Sequence, residues 1–187
     1  MKPIACVIPA KSNSSRLPRK NLLRLGPFSL VQWAIIHANE AGFRPLVIGD
    51  QGWHDEDVAF PHGKFDYLDR DPAWSSPEMS SLELSAWALK SNGRSEDAIL
   101  LLQPTSPLRS LEDILKCVDI FKKYDVNVTS TDETTDELNG AIYIRKPTLP
   151  HSDHGIIYPM PHERSIDINT ESDFEEAKSL MARRMSE

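Results

Sequence analysis

Directly after the first apolar run lies Pro9-Ala-Lys-Ser-Asn-Ser-Ser-Arg-Leu-Pro-Arg-Lys-Asn21, a stretch with four cations, Lys11, Arg16, Arg19 and Lys20, among small hydrogen-bonding side chains. This mixture suits a polyphosphate, which takes cations as counter-charge and hydroxyl, amide and backbone N–H groups as donors. The segment has neither the GxxxxGK[ST] spacing of a P-loop nor the GxGxxG of a dinucleotide fingerprint. Charge placement points the same way. Residues 1–39 contain no Asp or Glu, so all 28 acidic residues follow them, whereas Lys2, Lys11, Arg16, Arg19, Lys20 and Arg24 precede. A net charge of −7 argues against a general nucleic-acid binder. A basic patch on an acidic chain fits a local anion site instead. The competing reading is a solvated basic turn; the position just after a buried strand favours a site.

Two other constellations carry weaker signals. His151, His154 and His162 lie in a proline-containing stretch without an evident supporting partner and read as solvent-facing. Trp33 and Trp87 sit at apolar helical positions and read as core. Trp53 and Trp74 lie in irregular stretches, and Trp74 stands beside the predicted nucleotide loop.

The elements that must hold the loop follow from periodicity. Ile4–Ile8, Leu46–Ile48, Phe65–Leu68, Ala98–Leu102, Val126–Thr129, Ala141–Ile144 and Ile156–Tyr158 read as strands. Leu30, Trp33, Ala34 and His37 recur at helical spacing before Gly42, and Leu82–Leu89 reads as a second helix. Ser110 and Asp113 have capping-box spacing at the head of a third, and Thr170 precedes a last helix from Glu171 to Arg184. Strands alternating with helices imply an α/β fold, a mostly parallel sheet with helices on both faces. Ligands in such sheets bind beyond the carboxyl ends of the strands. That rule puts residues 9–21, 49–51, 103–109 and 167–169 on one rim.

At 187 residues the chain reads as one domain, 1–187. No apolar run reaches the length of a membrane span, and the opening ten residues lack the regions of a signal peptide, so a cytoplasmic location is expected. Cys6 and Cys117 fall in core elements and read as small apolar groups.

Four segments, Ile8-Pro-Ala-Lys…Leu17-Pro-Arg-Lys-Asn21, Leu101-Leu-Gln-Pro-Thr-Ser-Pro-Leu-Arg109, Asn139-Gly-Ala-Ile-Tyr143 and Ser165-Ile-Asp-Ile-Asn-Thr-Glu171, occur in the order typical of acylneuraminate cytidylyltransferases, the CMP-sialic acid synthetases and their relatives. The chain resembles that family over almost its whole length. The resemblance implies a Rossmann-like nucleotidyltransferase fold and transfer of CMP from CTP to an acidic 2-keto sugar, with Mg²⁺ as cofactor and pyrophosphate released. It implies catalytic roles for Lys11, Lys20 and Asp167. Lys11, Ser12, Asn13, Arg16, Lys20 and Asn21 become the candidate nucleotide contacts in the loop. Arg70 and Ser81 fall where the family reads cytosine. Gln103 and Tyr143 fall at the acceptor sugar, and Asp167 and Asn169 at the metal.

The chain departs from the family in four places, one of them Asp71–Ser80 between Arg70 and Ser81, where the sequence differs and the spacing is kept. Lys11 stands where arginine is usual, which keeps charge but loses the bidentate fork. Asn169 stands where a second aspartate is usual, which removes one negative charge from an Mg²⁺ site. The arm that usually serves dimerisation and sugar binding is reduced to Val126–Leu138, so the implied homodimer is weakened. Two alternatives therefore stand beside the transferase: a nucleotide-binding relative with little or no turnover, and a transferase for a smaller acceptor.

Overall fold

The computed structural model describes residues 3–11, 14, 16–50, 63–71, 79–93, 96–146 and 153–186. Strand β1, Ile4–Ala10, shows why its sequence is almost wholly apolar: both of its faces are covered. Ala5 and Val7 point into one cluster, and Cys6, Ile8 and Ala10 into another on the opposite face. The single-residue alternation of a strand thus feeds two separate cores.

Past β1 the chain makes a short 3₁₀ turn, Lys20–Leu22, and a two-residue hairpin, β2 (Arg24–Leu25) with β3 (Phe28–Ser29), before helix α1, Leu30–Glu40. Then come β4 (Leu46–Gly49), β5 (Asp66–Asp69), α2 (Ser81–Ser91), β6 (Ala98–Leu101) and α3 (Leu111–Tyr124). The chain continues with β7 (Val128–Asp132), β8 (Leu138–Arg145), β9 (Ile156–Met160), the single turn α4 (His162–Ser165) and α5 (Glu171–Arg184). The four long helices share one start signal. Ser29 with Gln32, Ser80 with Glu83, Ser110 with Asp113 and Thr170 with Asp173 each form a capping box. Each box satisfies two backbone donors that a helix start would otherwise leave unpaired.

The seven-stranded sheet runs β5-β4-β1-β6-β8-β7-β9. Pairings β1–β4, β1–β6, β4–β5 and β7–β9 are parallel, and β8 alone runs antiparallel to its neighbours β6 and β7. The sheet is therefore mostly parallel, as the alternation of elements predicts. Helices α1 and α3 pack on one face through Val31, Ala34, Ile35, Ile114, Cys117 and Phe121. Helix α2 covers the other through Leu84, Ala88 and Leu89. A third cluster joins Phe174, Ala177 and Met181 of α5 to Leu17, Leu25, Leu30 and Leu108, tying the last helix to the loop after β1. Cys6 and Cys117 are buried and form no disulfide with each other, and Trp33 and Trp87 pack against the core, as expected.

Strand order reverses around β1, since its successors lie on opposite sides of it. The carboxyl end of β1 is therefore the topological switch point, where an open α/β sheet forms its crevice. The loop from Pro9 to Asn21 leaves from that end.

Several strands are longer than periodicity indicates, and β7 shows why. β7 continues through Ser130, Thr131 and Asp132, all buried, although its sequence there is polar. The Ser130 and Thr129 hydroxyls are internally satisfied, whereas Thr131 Oγ1 is buried without a partner. Ser130 Oγ donates toward Asn139 Oδ1 (2.6 Å) and accepts from the Ile142 amide (2.9 Å), and Thr129 Oγ1 donates to the His154 carbonyl (2.9 Å). Hydrogen bonding thus substitutes for apolar side chains, a pattern that hydrophobic periodicity does not detect. The chain then reverses through a tight turn in which the Thr134 amide donates to Asp132 Oδ1 (2.8 Å). That turn is all that separates β7 from β8.

Among the described residues, no helix is long and apolar enough to cross a membrane.

Candidate functional site

Two segments far apart in sequence meet at the rim. Lys20 Nζ donates to Asn169 Oδ1 (3.1 Å), and Arg16 Nη2 reaches the same oxygen at 3.4 Å. Asn169 Nδ2 in turn donates to Asp167 Oδ2 (2.7 Å). The order is cation, carboxamide, carboxylate. Local structure fixes it from below: the Ile168 amide donates to the Thr105 carbonyl (2.8 Å), pinning the segment to the loop after β6. The Asn169 amide donates to Asp173 Oδ2 (2.8 Å). Thr170, not Asn169, supplies the side-chain cap of α5, so the Asn169 side chain is free to face the cations.

Burial is the main cause holding the Lys20 ammonium below its ordinary pKa; the Asp167 carboxylate opposes it and Arg16 reinforces it. Half-buried and without a carboxylate in direct contact among the described residues, Lys20 is disposed to gain from an incoming anion.

Lys11 is exposed at the end of β1. Its carbonyl accepts from Asn21 Nδ2 (2.8 Å), a bond that folds the loop back on its own start. Asn21 is buried, and its Oδ1 has no partner, so its visible role is to shape the loop. Ser12 and Asn13 lie outside the described residues, as do Trp53, Trp74 and His151.

The segment Gln103–Arg109 is built on one buried arginine. Arg109 is fully buried and fans its donors to three carbonyls: Nε to Ser106 (2.8 Å), Nη1 to Ala141 (2.8 Å) and Nη2 to Gln103. It fixes the loop after β6 against β8. Sequence reading singles out the motif but gives Arg109 no role of its own; the capacity of a guanidinium to satisfy several carbonyls is the signal it could have used. Gly140 completes the arrangement. Its φ is +67°, and a Cβ there would stand 3.0 Å from Gln103 Oε1 and 3.6 Å from Asp167 Cγ. The glycine thus lets Gln103 and Asp167 approach the same point of β8.

Beside this point lies a cavity of about 400 Å³ lined by Ser81, Leu101, Gln103, Tyr143, Arg145 and His154, among others. Predicted residues Ser81, Gln103 and Tyr143 therefore share one wall. Burial, and next the Asp167 carboxylate, raise the Tyr143 pKa, so its hydroxyl stays protonated at neutral pH. His154 is exposed, as expected, but it is not without a partner: its Nδ1 accepts from Arg145 Nη2 (3.3 Å). Its line in the sequence carries no sign of this, because its partner lies on β8.

Arg70 follows β5 and is buried; its Nη2 pairs with Asp50 Oδ1, just past β4. Tyr67 Oη donates to the Asp50 carbonyl (2.8 Å). The pair braces two neighbouring strand ends. Arg70 Nε is buried without a partner.

The donor set for a metal can be tested atom by atom. Asp167 Oδ1 is buried and has no hydrogen-bond partner, an oxygen available to a cation. Asn169 Oδ1 faces Lys20 and Arg16 instead. Magnesium commonly takes one or two carboxylates together with substrate phosphates and waters. The residues fit such an ion with Asp167 as the protein ligand.

Comparison with known proteins accords with this geometry. The family model described as cytidylyltransferase matches residues 5–153. An N-acylneuraminate cytidylyltransferase of Streptococcus agalactiae serotype III is 31% identical over 137 residues, covering 71% of this chain and 32% of the relative. That of Escherichia coli O18:K1:H7 is 27% identical over 222 positions, covering 97% of this chain and 52% of the relative. The second alignment is longer than the chain itself, so the relative holds additional residues within the matched span. This chain spans about a third to half the length of these relatives. Among solved structures, a CMP:2-keto-3-deoxy-manno-octonic acid synthetase complexed with CTP superposes with a TM-score of 0.70 at 16% identity, covering 97% of this chain and 99% of that one. The Rossmann-like nucleotidyltransferase fold is thereby established, and the chain belongs to the cytidylyltransferase family.

Proposed function

We propose that this chain catalyses transfer of CMP from CTP to the anomeric hydroxyl of an acidic, sialic acid-like 2-keto sugar. The sugar oxygen attacks the α-phosphorus, the bond to the β-phosphate oxygen breaks, and pyrophosphate leaves with the electron pair. The observation that carries the reading is the convergence of Lys20 and Arg16 on Asn169 and Asp167 at the switch point of the sheet.

Negative charge grows on the non-bridging oxygens and on pyrophosphate during such a step, and preorganised cations stabilise it most in a partly dehydrated site. Lys20 binds the triphosphate and Arg16 adds charge at the same rim; Lys11, at the end of β1, meets the phosphates from the opposite side of the loop. Ser12, Asn13 and Asn21 complete the nucleotide loop. Arg70 and Ser81 read the base, and Gln103 and Tyr143 orient the acceptor. Asp167 would hold Mg²⁺, which would supply Lewis-acid neutralisation of the departing charge. The reaction belongs in the cytoplasm, where CTP is available.

A second reading, nucleotide binding with little turnover, draws on the Asn169 carboxamide, whose oxygen is already engaged by two cations. Chromatography of reactions containing each of CTP, ATP, GTP and UTP with 2-keto sugar acids separates the two. A CMP-sugar formed only with CTP supports transfer. Tight CTP binding with no product supports the second reading, and indifference to the base opposes both.

A further inference from the structure

Among the described residues three arginines are buried: Arg70, Arg109 and Arg145. Arg70 is paired with Asp50, and Arg109 is held by three backbone carbonyls. Arg145 differs. It is only 4% exposed, yet it lines the 400 Å³ cavity beside Gln103 and Tyr143. Its Nη1 donates to the Asp153 carbonyl (2.9 Å) and its Nη2 to His154 Nδ1 (3.3 Å), while its guanidinium stands 5.3 Å from the Tyr143 ring centroid. A guanidinium only donates, so the His154 nitrogen in that contact offers a lone pair. All three partners are neutral, and no described carboxylate forms an ion pair with Arg145.

A buried cation hydrogen-bonded only to neutral groups, with the Asp153 carboxylate acting on it without forming an ion pair, is incompletely compensated. Five N–H donors are available and two are used, which leaves donors for a planar anion. Register fixes where that anion would sit. Leu101 pairs with Tyr143 and Ile99 with Arg145, so the two β8 side chains emerge two residues apart on one face, toward the first turn of α2. Glu83, the acid on that turn, is occupied: its Oε2 accepts from the Ser80 amide (2.9 Å) and hydroxyl (2.7 Å).

We propose that Arg145, supported by Tyr143 and His154, is the group that receives the carboxylate of the acceptor. The inference rests on the acidic-acceptor reading above and names the atoms that make the acceptor acidic rather than neutral. The Arg145 fork takes the two carboxylate oxygens, and Gln103 bonds a hydroxyl nearer Asp167. Selection against a neutral or esterified sugar then arises from leaving this buried cation uncompensated.

The test is isothermal titration of the CTP-loaded protein, in EDTA to prevent turnover, with N-acetylneuraminic acid, 2-keto-3-deoxy-manno-octonic acid and the methyl ester of each. Wild type is expected to bind at least one acid roughly tenfold or more tighter than its ester. Arg145→Gln is expected to lose that preference with CTP affinity unchanged, and Arg145→Lys to retain part of it. If Arg145→Gln fails to fold, the acid–ester ratios of wild type and Arg145→Lys decide alone. Equal binding of acid and ester by wild type, no binding of either acid, a preference that survives removal of the guanidinium, or a matching loss of CTP affinity overturns the proposal. Pyrophosphate release is measured separately. Preserved acid preference without turnover would support the subsite while overturning the transfer reading.

Discussion

Lys20 and Asn169, 149 residues apart in sequence, meet with Nζ donating to Oδ1 at 3.1 Å. The contact joins the loop after β1 to the segment before α5, and it puts Asn169, where the family resemblance implies a second aspartate, in direct touch with the cation proposed to bind the triphosphate. The Asn169 carboxamide bridges Lys20 on one side and Asp167 on the other. An amide can do so because it is donor and acceptor at once; an aspartate cannot donate to Asp167.

Removing the Lys20 cation should weaken triphosphate binding most. Lys20→Ala is expected to raise the Kd for CTP about 10- to 100-fold, the range of one charge-assisted hydrogen bond. Lys20→Arg should recover part of the loss. Because burial lowers the Lys20 pKa, wild-type affinity should fall as pH rises toward that lowered value, at a pH where a solvated lysine would still be charged. A pH series of CTP titrations on wild type and Lys20→Arg checks this, and identical profiles would oppose it.

Asn169→Asp replaces a donor to Asp167 by a second carboxylate. Without divalent ions the two like charges repel, and Lys20 and Arg16 offset only part of this, so the free variant is expected to melt lower than wild type. With CTP and Mg²⁺ it should gain more stability than wild type does, and turnover should rise. Thermal melts across an Mg²⁺ titration measure both effects. Equal Mg²⁺ responses in the two proteins would speak against Asp167 as the ligand.

Arg109 should matter for folding more than for contact with substrate. Arg109→Met strips donors from the carbonyls of Gln103, Ser106 and Ala141 together. The expected cost is about 2–4 kcal/mol, from buried acceptors left unpaired. Urea unfolding reads the loss directly; a variant as stable as wild type would contradict the clamp.

His162 links the β7–β8 turn to α5. Its Nδ1 lies 2.6 Å from Asp132 Oδ2, and its Nε2 lies 3.5 Å from Glu176 Oε1. The hydrogen bond to Asp132 is the largest cause raising the His162 pKa above 6.5. A raised folded value means that protonation favours the fold. The contribution is fully present below pH 6.5 and is lost as pH rises through the raised value. The ring is half exposed, so the effect is small. The Asp132 carboxyl, held low chiefly by Thr134 and then His162 against the opposing effect of its burial, gives the opposite limb and loses its contribution on acidification. His162→Ala should flatten the decline in melting temperature on going from pH 6 to pH 8, and an unchanged slope would remove this link.

Most elements were readable from the chain because apolar alternation and start signals agree with the tertiary outcome. β1 and β6 are apolar since both faces are covered, and Ser110 and Thr170 announce α3 and α5. β7 was cut short because Ser130, Thr131 and Asp132 are buried polar residues, Ser130 and Asp132 held by side-chain hydrogen bonds, which leaves no hydrophobic period. That Lys20 and Asp167 share one rim was legible from the rule on strand ends. The bridging geometry of Asn169 was not, since it depends on which neighbour its oxygen meets. Arg145 and His154 escaped for the same reason: neither stands in a charged cluster, and only β8 register with the segment after it brings them to the cavity.

The central claim is acceptor-dependent transfer of CMP, and continuous pyrophosphate detection measures it most directly. With CTP, Mg²⁺ and a 2-keto sugar acid, the wild-type chain is predicted to release one pyrophosphate for each CMP-sugar formed, with little release when the acid is omitted or another nucleotide replaces CTP. No release above background with any acid tried, from protein that is folded and binds CTP, would contradict the account.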